Sequence, residues 1–125
     1  MNPRTLALLC SLAAASPAAA ADLPIFDAHV HYSHDAWDST PPPDAIAILR
    51  KAGLRRALVS SSGDAGTQRL VALAPDLVVP SLRPYRTRGE VSTWVRDDTV
   101  VAFLEERLRN ARYAAIGEFH LYGAD

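Results

Sequence analysis

The stretch Pro24-Ile25-Phe26-Asp27-Ala28-His29-Val30-His31-Tyr32 alternates apolar and polar side chains with a period of two. Successive side chains of an extended strand leave opposite faces, so Phe26, Ala28 and Val30 are expected on one side and Asp27, His29 and His31 on the other. Two imidazoles one residue apart on one face lie close enough to share a metal ion, and neutral imidazole is a common ligand of zinc-like ions. Asp27, one pleat earlier on that face, is placed to orient a ligand from behind. An H-x-H pair also occurs in strands that bind no metal, so this spacing alone leaves both readings open.

Outward from this strand, helix-like and strand-like runs alternate. A polar loop ends at Pro41-Pro42-Pro43, and residues 44–52 read as a helix with Ile46, Ile48 and Leu49 on its apolar face and Gly53 closing it. Residues 56–60 form a short apolar strand before Ser60-Ser61-Ser62-Gly63, and residues 67–74 a weaker helix stopped by Pro75. Residues 77–82 make a third strand leading into Arg83-Pro84-Tyr85. A longer helix follows, capped by Asp97 or Asp98, with Val101, Leu104 and Leu108 along one face and Glu105 four residues before Arg109. Residues 113–121 then read as a fourth strand, with Ile116, Glu118 and His120 on one side and Gly117, Phe119 and Leu121 on the other. Strands alternating with helices in this way indicate an α/β fold with a parallel sheet.

Composition agrees. The 125 residues are 49% hydrophobic and 22% charged with a net charge of -1, which fits one globular domain and excludes a disordered chain. Lys51 is the only lysine, and the arginines are scattered, so no basic patch for nucleic acid is evident. Residues 1–21 have the layout of a secretory signal peptide: Arg4 in a basic start, an apolar run over residues 6–15, and small residues around Ala18, Ala20 and Ala21 for cleavage. The apolar run is too short to span a bilayer, so no transmembrane segment is expected after cleavage. The expected location is exported, periplasmic or secreted. Cys10 lies inside that leader, so residues 22–125 hold no cysteine and depend on their core rather than on disulfides.

The second concentration of chemistry is Ile116-Gly117-Glu118-Phe119-His120, which sets a carboxylate and an imidazole on one face. At the carboxyl ends of parallel barrel strands, such groups gather into one site. Gathering a glutamate and three histidines there without a metal or other partners would cost several kcal/mol, so the two motifs together favour a metal site. Arg83 and Tyr85 leave the third strand at the same end and are candidates to hold a substrate carboxylate or phosphate. His34, Asp35 and Asp38 read as solvated loop residues, and Trp37 and Trp94 as packing for a loop or a pocket mouth. The run Ser60 to Ser62 lacks the G-x-S-x-G pattern of a nucleophilic serine.

The segment from Pro24 to His31 resembles the first strand of the amidohydrolase superfamily, metal-dependent hydrolases built on the TIM-type (β/α) barrel. Ala115-Ile116-Gly117-Glu118 resembles the fourth strand of its TatD-like branches, and the likeness covers residues 23–125. It implies that His29 and His31 bind the more buried metal and that Glu118 is a ligand shared by two metals. His120 departs from the TatD-like pattern, where glycine is common; an extra ligand, a donor behind the ligands and a substrate contact all stay open. The implied cofactor is a divalent metal, zinc-like, as one or two ions. The implied reaction is attack of metal-activated water on an amide, ester or phosphoester bond of a small-molecule substrate.

Further ligands of that family come from the fifth and sixth strands, with a proton-handling aspartate on the eighth. A full barrel takes about 250 residues, so residues 22–125 are expected to be its first half, with four strands. That half would need the remaining strands or a second copy against its open edge, and would turn over little substrate alone. A decarboxylase of the same superfamily and a non-catalytic exported metal-binding half-barrel are the alternative functions.

Overall fold

A computed structural model describes residues 23–121; the proposed leader over residues 1–21 lies outside them. Four parallel strands pair in the order β1-β2-β3-β4 and form a curled half-barrel. They are β1 (Ile25–Val30), β2 (Leu54–Val59), β3 (Val78–Leu82) and β4 (Ala115–Ile116). Helices α1 (His34–Trp37) and α2 (Pro42–Lys51) lie between β1 and β2, α3 (Ala65–Leu73) between β2 and β3, and α4 (Val100–Asn110) between β3 and β4. The parallel α/β architecture is as the alternation of elements indicates.

Several boundaries differ from the sequence reading, for identifiable reasons. Helix α2 begins at Pro42 rather than Asp44, because the first turn needs no backbone N–H from its prolines and their fixed φ suits it. It closes as expected on Gly53, whose φ of 79° is a conformation open to glycine at no steric cost. The loop after β1 contains the single turn α1. Strand β4 is only two residues long, so Glu118 and His120 follow a strand rather than alternating within one. Gly117, with φ 145°, a conformation open to glycine, directly precedes Glu118.

The core lies between the first three strands and helices α2 and α3. It is built from Tyr32, Ile46, Ala57, Val59, Leu70, Ala74, Leu77 and Val78, with Val30, Trp37 and Leu49 packed against it. Phe26 is 55% exposed, and so is much of Ile25, because β1 is an edge strand. Ile48 also faces outward. In β1 the pairing shifts between Asp27↔Ala57 and Val30↔Val59, so one extra residue bulges from β1 there. The bulge breaks the simple alternation: Ala28 and His29 both line a hollow shared with Leu58, Ile116 and Glu118.

Helix α4 contributes no buried residue, and Val101 and Leu108 stay exposed where an apolar contact face was expected. A two-residue strand offers it little sheet to cover, and polar contacts hold it instead. Arg107 binds the Asp64 carboxylate with its Nε at 3.0 Å and also with Nη2, and the Tyr113 hydroxyl donates to the same oxygen at 2.6 Å. Burial and the hydrogen bond to ionised Asp64 push the Tyr113 hydroxyl up to about 12. At the other end, Arg86 reaches Asp97 and Thr99 and lies over the Phe103 ring. The expected pair Glu105–Arg109 forms at 3.7 Å. Among the described residues, no helix is long and apolar enough to cross a membrane.

Candidate metal centre

Each strand delivers a functional group at its carboxyl end: His29 and His31 from β1, Ser60 to Ser62 from β2, Arg83 from β3 and Glu118 from β4. The curl of the sheet turns these ends toward one another. His29 Nε2 and His31 Nε2 are 2.9 Å apart, and Glu118 Oε2 lies 3.0 Å from the first and 3.1 Å from the second. The sequence motifs singled out these three residues, and the fold brings them together.

Their protonation is constrained by what lies behind them. His31 Nδ1 is hydrogen-bonded to the Ser60 carbonyl oxygen, which only accepts, so the ring carries its proton on Nδ1. In the neutral ring this leaves the Nε2 lone pair facing the cluster. Burial alone would raise the Glu118 carboxyl. The nearby Arg83 guanidinium, followed by His29, His31 and His120, outweighs it and holds Glu118 below the usual carboxylate range. His31 Nε2 and a Glu118 carboxylate oxygen stand 3.1 Å apart, an ion pair when the ring is protonated and two facing acceptors when it is neutral. With the ring neutral, a cation between them relieves the repulsion, and a divalent ion would serve all three atoms at once. Ligand atoms of a tetrahedral zinc site are about 3.3 Å apart for bonds of about 2.0–2.1 Å, close to the separations here. The donor set of two imidazoles and a carboxylate also suits zinc-like ions.

Asp27 accepts from the His29 backbone N–H at 3.0 Å, so it braces the β1 bulge rather than the imidazole. Arg83 is buried; its Nε donates to the Glu118 carbonyl oxygen at 2.9 Å and its Nη1 to Ser62 Oγ at 3.3 Å. It therefore positions Glu118 as well as charging the site. Tyr85 is fully buried behind the site, and its hydroxyl accepts from the His120 backbone N–H at 2.6 Å and lies 3.2 Å from His120 Nδ1. Trp94 Nε1 donates to the His120 carbonyl oxygen at 2.9 Å. His120 is thus fixed from both sides, with Nε2 at 3.8 Å from Glu118 Oε1, outside the tight triad. Trp37 packs the loop after β1, where Arg69 lies over its ring at 3.8 Å. His34 lies edge-on to Trp37, and Asp35 pairs with Arg88 at 2.8 Å.

A cavity of about 660 Å³ opens beside the triad; His31, Glu118 and His120 line it together with Ser33, Ser62, Arg83 and Arg88. Sequence reasoning did not find the roles of Ser33, Ser60, Ser62 and Arg88. Ser60 and Ser62 were visible as residues leaving β2, but a carbonyl oxygen acting through its backbone leaves no mark on residue type. Comparison with protein-family models, with curated proteins and with solved structures finds no match.

Proposed function

We propose that this chain holds a divalent, zinc-like ion at His29, His31 and Glu118 and serves metal-dependent hydrolysis of an amide, ester or phosphoester in a small-molecule substrate. The supporting observation is the convergence of three ligand atoms within 3.1 Å of one another at the carboxyl ends of β1 and β4. The proposal includes a (β/α) barrel of TIM type, of amidohydrolase kind, for the curled sheet, and export of the chain. When bound, such an ion acts as a Lewis acid and brings the pKa of its water toward neutrality.

The protein's own groups have distinct tasks in this reading. Ser60 fixes the tautomer of His31, so that its lone pair faces inward without rearrangement. Arg83 keeps Glu118 ionised and anchors its backbone. Tyr85 and Trp94 hold His120 at the edge of the cavity, where its ring can contact a substrate. An activated ester tests the reading with few demands on substrate positioning. The chain supplied with zinc is expected to hydrolyse p-nitrophenyl acetate faster than the zinc-free chain, and Glu118→Gln to lose most of that increment. Equal rates with and without zinc in the native chain would contradict the proposal.

A further inference from the structure

Besides the triad residues, the cavity is lined by hydrogen-bond donors that the fold leaves partly unused, and Arg83 among them lies against Glu118. Arg83 is 6% exposed, a charge buried beside the cavity. Its Nε and Nη1 are engaged, but no described residue accepts a hydrogen bond from its Nη2, which lies 3.7 Å from Glu118 Oε2. Ser62 Oγ accepts from Arg83, and Ser33 Oγ accepts from the Ser62 backbone N–H at 3.2 Å. Each hydroxyl therefore keeps its own proton to donate. Arg88 gives Nη1 to Asp35 and retains other donors at the cavity mouth. The carboxylates that line the cavity are Glu118 and Asp35.

We infer that the substrate carries, besides its scissile bond, an oxyanion group that Arg83 Nη2, Ser62, Ser33 and Arg88 bind. A carboxylate or a phosphate monoester has the acceptor oxygens to meet these donors, and a guanidinium binds either of them in preference to a neutral amide. The inference rests on the proposed function for placing the scissile bond at the triad. The oxyanion site itself requires no metal, so the two can fail separately.

Calorimetric titrations of the chain, with and without zinc, would compare N-acetylglycine and phenyl phosphate with neutral N-acetylglycinamide. One of the two anions is expected to bind at least about tenfold more tightly than the amide, and which one does so identifies the group. The Ser62→Ala/Arg88→Ala variant is expected to lose most of that preference while zinc affinity is unchanged. Equal binding of anions and amide, or no binding of either anion, would overturn the inference. So would a preference that needs zinc and survives in the double variant, since it would belong to the ion. Failure of zinc to bind would overturn the proposed function, while the zinc-free titrations still decide the oxyanion site.

Discussion

Replacing His29 and His31 together by alanine is expected to weaken zinc binding by at least about a hundredfold. Removing a group that only supports a ligand costs 10- to 100-fold in affinity, and this change removes two ligands outright. Both side chains are substantially exposed, 62% for His29 and 37% for His31, so the fold should tolerate their loss. The loss then reports on the site and not on unfolding, which a circular dichroism spectrum like that of the native chain would establish. Calorimetric titration with zinc reads the effect. Native-like affinity in the double variant would place the ion elsewhere.

The second large effect is structural. Gly66, in the first turn of α3, lies so close to the segment that follows β1 that a Cβ there would sit 1.9 Å from the Tyr32 carbonyl oxygen and 3.2 Å from Ser61 Oγ. The obstacle is backbone, which has no rotamer to escape into, so either α3 or the segment that follows β1 must move. Gly66→Ala is expected to cost about 3 kcal/mol or more, a large share of a typical stability of about 5–15 kcal/mol. Urea unfolding measures it. Because Tyr32 adjoins His31, the variant should also weaken zinc binding. A midpoint equal to that of the native chain would show that the contact is not as close as described.

Much of this architecture was legible in the residues. Period-two runs and helical runs alternate, and burial of Ile46, Val59, Leu70 and Leu77 follows from that patterning. His29 and His31 were legible because one intervening residue fixes their separation locally, and Glu118 because it shares a face with His120 in the run over residues 113–121, although the strand itself stops at Ile116. Other features depend on neighbours that periodicity does not encode. Phe26 is exposed because β1 is an edge, and Ala28 joins His29 at one hollow because of a bulge in pairing with β2. Tyr85 belongs behind His120 rather than in the cavity because Arg83 and Trp94 pack around its ring. Gly66 shows nothing in sequence of its contact with Tyr32, since the two residues meet only once α3 has docked on the segment that follows β1.

The central claim is that two imidazoles and a carboxylate from opposite edges of the sheet hold one divalent ion. Crystals of the chain grown with zinc, measured at wavelengths on either side of the zinc absorption edge, test it most directly. The account predicts an anomalous peak within bonding distance, about 2.0–2.2 Å, of His29 Nε2, His31 Nε2 and a Glu118 carboxylate oxygen. A zinc peak found only at other residues, or these three side chains ordered with no peak among them, would contradict it.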